Sequence, residues 1–206
     1  MNVRRVEKTV LSVEQSEGIG AYARRSIGRK ELRNLDPFLM LDEFRMSKPA
    51  GFPDHPHRGF ETVTYVLEGI TAHEDFCGHT GRLKPGDLQS KVYTRTPTLY
   101  LDFRVQAGAV HIQPVPSGPD EEQQMVEPHH TVVFGDGDCV KFQNKGSEVS
   151  HFVLIAGEPI NEPVVQHGPF VMTTEEEIRE AIRDYQNGKN GFERAVNWRS
   201  KIRDSV

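Results

Sequence analysis

The sequence predicts an all-β protein that ends in a single helix. Three observations carry that prediction. The 206 residues include 13 prolines and 18 glycines, enough turns to cut the chain into short pieces. The pieces between turns are rich in β-branched and aromatic residues, several of them with alternating polarity. Only near the C-terminus does the apolar spacing become helical. A small barrel or sandwich suits that order of elements. The length fits one large domain or two small ones, and 36% hydrophobic with 27% charged residues is an ordinary globular composition.

Taken in order, LDPFLMLDEF from Leu35 to Phe44 is apolar with acidic punctuation, and Pro37 argues against a helix there. A loop rich in Gly, Pro and Asp follows. Phe60 to Leu67, FETVTYVL, is a strand candidate that Glu68-Gly69 can turn. Ile70 to Phe76 alternates and can pair back, which sets His73 out of phase with the apolar residues and toward solvent. Thr98 to Val105 alternates strictly, with Leu99, Leu101, Phe103 and Val105 on one face. Thr131 to Phe134, Cys139 to Gln143 and Phe152 to Ile155 read as further short strands, with a turn at Gly135 to Asp138. Thr174 followed by Glu177 is a capping box. Ile178, Ala181, Ile182 and Tyr185 then keep helical spacing until Gly188 stops it, so a docked helix is expected over 174–187.

The formal charge of −5 argues against a duplex-binding protein, whose affinity comes mostly from phosphate contacts. The basic cluster of Arg24, Arg25, Arg29, Lys30 and Arg33 is diluted by Glu31 and Asp36 and reads as a solvated face. Cys77 and Cys139 are too few for a disulfide framework. The N-terminus has no apolar stretch of signal-peptide length, and no run approaches a membrane span. A soluble protein of a reducing compartment is expected, with no membrane partner and no strong nucleic-acid binding.

The chemistry concentrates in GFPDHPHRGFETVTYVLEG, Gly51 to Gly69. His55 and His57 are two apart, and Pro56 holds the backbone extended between them, so the imidazoles should share a face. Glu61 has the same parity and joins them if Gly59 preserves the register; a bulge at Gly59 would break it. Two His and one carboxylate are the ligand set of non-haem Fe(II) sites. A bare HxH is more often a pair of surface histidines. The remaining histidines read as structural or surface groups, His129 and His130 pointing to opposite faces.

The text around the pair resembles the first cupin motif, and more closely the pirin family. LSVEQSEGIGAYARRSIGRKELRNLDPFLMLDEF, AHEDFCGHTGRLKPGDLQ, KVYTRTPTLYLDF, EPHHTVVFGDGD, SHFVLIAGEPINEPVVQHGPFVM and NGFERAVNW carry the same resemblance, which spans almost the whole chain. It implies a bicupin of two β-barrels plus the C-terminal helix. It also implies one non-haem iron, Fe(2+), held by three His and one Glu in the first barrel. Pirins are similar to quercetin 2,3-dioxygenases, and mammalian-type members are described as nuclear co-regulators of NF-κB-type transcription factors. By position, His55 and His57 match the first two iron histidines.

The sequence departs from that pattern twice. After Gln89 the family continues to an HxE pair that supplies the third His and the Glu, whereas this chain passes directly to SKVYTRTP. A shorter loss follows Pro116-Ser117-Gly118. The expectation is therefore two truncated halves, 1–89 bearing HxH and 90–206 ending in the helix. The metal set is reduced to His55, His57 and Glu61, with weak iron binding. The resemblance implies NF-κB-type factors and co-activators as partners, in nucleus and cytoplasm. Flavonol is the substrate if the chain is catalytic, and that activity is expected to be weak or lost. Two other readings stand beside this one: an active flavonol 2,3-dioxygenase, and a poorly folded product with exposed strand edges.

Overall fold

The structure, a computed structural model, describes residues 2–17, 20–48, 50–89, 94–114 and 124–202. In chain order the strands are β1 (Val6–Leu11), β2 (Glu14–Ser16), β3 (Ala21–Ile27), β4 (Leu41–Met46), β5 (Thr64–Tyr65), β6 (Thr71–Glu74), β7 (Thr80–Leu83) and β8 (Leu88–Gln89). They continue with β9 (Thr98–Val105), β10 (Val110–Pro114), β11 (His130–Phe134), β12 (Cys139–Gln143), β13 (Ser150–Gly157), β14 (Val165–His167) and β15 (Phe170–Met172). The single helix among the described residues, α1, is Glu175–Asn187. Strands followed by one helix is the architecture the sequence predicts. Both junctions of the shortened segments, at Ser90 and at Pro116 to Gly118, lie outside the described residues.

The chain forms two compact units that interleave along the sequence. One comprises Met1–Gly18, Tyr22–Arg45 and Thr96–Ile160; the other comprises Ile19–Ala21, Met46–Arg95 and Asn161–Val206. Each unit thus draws on both 1–89 and 90–206. Strand pairing explains the exchange. In the first unit β1 pairs antiparallel with β11 from the second half of the sequence, Thr9 opposite Val132.

The first unit is built on β9 and β13, paired antiparallel from Thr98↔Gly157 to Val105↔Ser150. The alternation read from Thr98 to Val105 is realised over the predicted span. β10 pairs with β12, and β2, β3 and β4 form a third sheet. Phe103 stacks on Phe152 at 5.3 Å and tilts against Phe142 at 5.2 Å, so half-buried aromatic rings from the two strand pairs meet. The buried Asn144 amide satisfies its donors on the carbonyls of Val105 and Glu148.

The second unit holds β5 with β8, β6 with β7, β14 with β15, and α1. Thr174 caps the helix and forms the expected capping box with Glu177, while Gly188 closes it in the left-handed conformation. Phe170, Ile178, Ala181 and Phe192 make the core here, with Ile182 and Tyr185 packed against it.

Two local expectations are corrected. Phe60 to Leu67 is a strand only at Thr64–Tyr65, because its partner β8 is two residues long and a strand extends only as far as its neighbour. The parity of Ile70 to Phe76 is also different. Ile70 is 72% exposed, whereas His73 is half-buried. His73 lies opposite Gly81, and a Cβ on that glycine would stand 2.4 Å from His73 Nε2. Burial follows the neighbour present on each face, and the face of Ile70 has none among the described residues.

Candidate functional site

His55 and His57 converge as their spacing predicts. Pro56 lies between two exposed imidazoles whose centroids are 4.5 Å apart at an interplanar angle of 65°. His55 Nδ1 is 2.7 Å from the Pro53 carbonyl oxygen. A carbonyl only accepts, so Nδ1 carries the proton and the Nε2 lone pair is left as the ligand-capable nitrogen. The His57 ring tilts against Phe60 at 4.8 Å.

The chain then turns sharply. Gly59 has φ +90°, a region that favours glycine, and a Cβ there would stand 1.6 Å from the Val171 carbonyl oxygen. Arg58 donates its backbone N–H to the Pro169 carbonyl at 3.3 Å and accepts from the Val171 N–H at 3.0 Å. The positive φ ends the parity that ran through His55 and His57. Glu61 is exposed and takes the Arg95 backbone N–H at 3.3 Å. Among the described residues no group of three or more His, Cys, Asp or Glu could hold a metal ion. Two imidazoles on an exposed loop do not fit a three- or four-ligand iron centre.

The other histidines lie elsewhere in the chain. His79 Nδ1 is 2.7 Å from Asp75 Oδ2, and Asp75 Oδ1 accepts the backbone N–H groups of Cys77 and His79. Burial raises the Asp75 carboxyl, but these donors outweigh it and hold it below the usual range. His111 stacks parallel to Phe142, and His151 Nε2 is 2.5 Å from Asp102. His130 Nδ1 faces the Glu127 carbonyl at 3.0 Å, and His129 has φ 62°. His167 is exposed on β14. Cys77 is exposed and Cys139 buried.

The residues that sequence reasoning missed are those that border the histidine pair. Arg58 Nη1 donates to Asp184 Oδ2 at 2.8 Å, its Nη2 donates to the Asn190 carbonyl, and its guanidinium lies 4.2 Å from the Phe192 ring centre. The Arg58 hydrogen bond, together with Asn190, holds the Asp184 carboxyl below its ordinary value despite desolvation. On the other border Asp54 Oδ2 accepts the Ser200 N–H at 3.2 Å. Glu74 Oε2 accepts from the Lys201 N–H at 2.7 Å, the Ser200 hydroxyl at 3.0 Å and the Ile202 N–H at 3.4 Å. Burial raises Glu74, yet those donors bring it below the usual carboxylate range. Arg58 stands inside the HPHRG text, but nothing local in the sequence names a partner 126 residues away.

Comparison with known proteins gives a consistent result. A family model described as Pirin matches residues 20–92, and one described as Pirin C-terminal cupin domain matches residues 100–191. The chain is 48% identical to Pirin of Homo sapiens over 284 residues, covering 97% of this chain and 98% of that protein. It is 42% identical to a pirin-like protein of Solanum lycopersicum over 281 residues, covering 96% and 97%. An alignment of 284 positions against a chain of 206 leaves at least 78 positions of the human protein with no counterpart here. The ends of both proteins are covered, so those positions are internal. A solved quercetin 2,3-dioxygenase of Acinetobacter baumannii superposes with a TM-score of 0.72 at 22% identity, covering 92% of this chain and 99% of that one. A second structure of that title gives 0.68 at 16% identity, covering 94% and 92%. At those identities the likeness concerns the cupin fold.

Proposed function

The chain belongs to the pirin family, and from that premise we propose that it is a shortened bicupin acting through its surface, as a co-regulator that binds NF-κB-type transcription factors in the nucleus and cytoplasm. The halves 1–89 and 90–206 are taken as its two truncated cupin repeats. The observation that supports binding over catalysis is the ligand count: His55 and His57 converge, and no third His, Cys, Asp or Glu joins them among the described residues. An intact family centre would supply Lewis-acid and template chemistry to a flavonol and dioxygen. This chain retains two of its imidazoles on an exposed loop, with Glu61 the nearest candidate in sequence for a third ligand.

The convergence of the imidazoles favours a second reading, a residual flavonol 2,3-dioxygenase. One experiment separates the two. The purified chain is loaded with Fe(II) anaerobically, and bound iron, flavonol cleavage and association with a Rel-type factor are measured beside a His55→Ala/His57→Ala variant. Our reading expects weak, exchangeable iron that disappears in the variant, negligible cleavage, and factor association in both proteins. Stoichiometric tight iron with turnover establishes the oxygenase instead. Absence of factor association in a folded chain removes the co-regulator role.

A further inference from the structure

The chain carries the dipeptide Asn-Gly twice where α1 ends, at 187–188 and at 190–191. Asn-Gly readily loses ammonia, because the glycine nitrogen can approach the asparagine Cγ with no Cβ in its way. The two copies stand in different surroundings. Asn187 is the last residue of α1. Its Nδ2 donates to the Arg183 carbonyl at 2.7 Å, and the Gly188 N–H donates to the Tyr185 carbonyl at 3.3 Å. Ring closure there requires helical backbone to rotate, and the Gly188 N–H faces a carbonyl, which takes up no proton.

Asn190 lies beyond the helix with φ 51°, a region that asparagine tolerates better than most residues. The bonds that hold it run to side chains. Its Nδ2 donates to Asp184 Oδ1 at 2.9 Å, and its carbonyl accepts from Arg58 Nη2. The Gly191 N–H points at a carboxylate, with Glu193 Oε1 at 3.2 Å and Oε2 at 3.1 Å. A Cβ built on Gly191 would meet nothing within 4 Å, and Asn190, Gly191 and Glu193 are all exposed to water.

We propose that Asn190-Gly191 is a self-modification site: it loses ammonia through a cyclic imide, Glu193 serves as the base, and the product releases Arg58 from Asp184. The Gly191 nitrogen gives its proton to the Glu193 carboxylate and forms a bond to Asn190 Cγ. The Cγ–Nδ2 bond breaks, and Nδ2 leaves as ammonia, the proton returning from Glu193 through water. Water then opens the imide at either carbonyl, leaving aspartate or isoaspartate at position 190. Each route consumes water and releases ammonia with no change of oxidation state. Glu193 stands within the reach of a general base. Its own backbone N–H and that of Gly191 hold its carboxyl below the usual range, so it is ionised at neutral pH.

The product acts on the end of α1. The Asn190 amide donates to Asp184, whereas a carboxylate in its place repels Asp184 at the same distance. Arg58 ties Asp184 to the carbonyl of residue 190, and isoaspartate also lengthens the backbone that presents that carbonyl. Phe192, 3% exposed, carries the Arg58 guanidinium on its face and is two residues away. Modification therefore loosens Arg58 from the segment that follows the helix. The inference is independent of the partner reading above and requires no metal.

The test is peptide mass spectrometry on the full chain aged at neutral pH. Cleavage after Lys and Arg puts Asn187 on the peptide 184–189 and Asn190 on the peptide 190–194, so each is read separately. Wild type is aged both folded and in denaturant, beside Glu193→Gln. In the folded chain position 190 should convert about tenfold or more faster than position 187. In denaturant the two rates should come together, and this comparison needs no variant. Glutamine keeps an acceptor oxygen for the Gly191 N–H but does not take its proton. Glu193→Gln should therefore slow position 190 by about tenfold and leave position 187 unchanged. Equal folded rates at the two positions, or a rate at 190 untouched by Glu193→Gln, overturn the self-modification. Asn190→Asp tests the consequence and should speed amide exchange at Arg58 and Phe192 by about tenfold. Unchanged exchange in a folded Asn190→Asp chain overturns the release of Arg58.

Discussion

The backbone after His57 and strand β15 meet with no room for a side chain: a Cβ on Gly59 would lie 1.6 Å from the Val171 carbonyl oxygen, and Gly59 holds φ +90°. Gly59→Ala therefore meets steric overlap and left-handed strain together. The expected loss is about 3 kcal/mol or more, read as a fall in the denaturant midpoint. An unchanged midpoint means that the loop and β15 are not in this contact.

Thr174 accepts the Glu177 N–H, and Glu177 answers through the Thr174 N–H. Thr174→Ala should cost about 1 kcal/mol, and Thr174→Ser much less. Hydrogen exchange at Ile178 and Ala181, both buried, reports it. Equal protection in all three proteins would show that core packing alone holds the helix.

What was legible in the sequence is what short-range chemistry decides. The capping box, the helical spacing and Gly188 placed α1 within a residue of its ends, because cap and period are local. Strict alternation placed β9, and Pro56 placed the two imidazoles on one face. The illegible part is long-range. Nothing near Arg58 names Asp184, and nothing near Gly59 names Val171. The exchange of β1 onto β11 is likewise invisible to a reading along the chain. Ile70 misled because periodicity reports which residues share a face, whereas burial depends on whether a neighbour covers that face.

Acid should weaken the second unit. The carboxyls of Glu177, bonded by Thr173 and Thr174, and of Asp184, bonded by Arg58, titrate below their ordinary 4.5 and 3.8. Glu74 does so too, its donors outweighing burial. A folded carboxyl held below its unfolded value contributes stability that is fully present above the unfolded value and is lost as pH falls through the folded one. The melting temperature should therefore be flat near neutrality and decline from about pH 4.5 downward. Glu74→Gln keeps an acceptor oxygen but no longer titrates, so its decline should be shallower. A Glu74→Gln profile parallel to wild type would show that the tail contact is not formed in solution.

The thiols should differ in reactivity. Cys77 is exposed in the turn after Asp75, whereas Cys139 is 1% exposed inside the first unit. A thiol reagent under native conditions should modify one cysteine, and both after unfolding. Modification of Cys139 in the native protein at the rate of Cys77 would mean that the first unit opens freely.

Restoring the missing segment tests the origin of the exposed apolar surface. Val63, Leu67, Ile70 and Leu88 are exposed around β5, β6 and β8. Among the described residues β5 and β8 form a two-stranded sheet of two residue pairs, which leaves room for a further strand beside them. Relatives that are 48% identical carry at least 78 further positions, and by family resemblance those following Gln89 include strands of the same barrel and the HxE pair. Inserting that segment between Gln89 and Ser90 should cover this face and bring two further ligands toward His55 and His57. The expected result is a sharper melt, lower binding of an apolar dye, and tighter Fe(II) binding than in the shortened chain. The three readouts should move together, because pairing the edges and completing the ligand set are one structural event. Tighter iron without a drop in dye binding would show that the ligands can assemble on the loop alone, and that the open face has another cause.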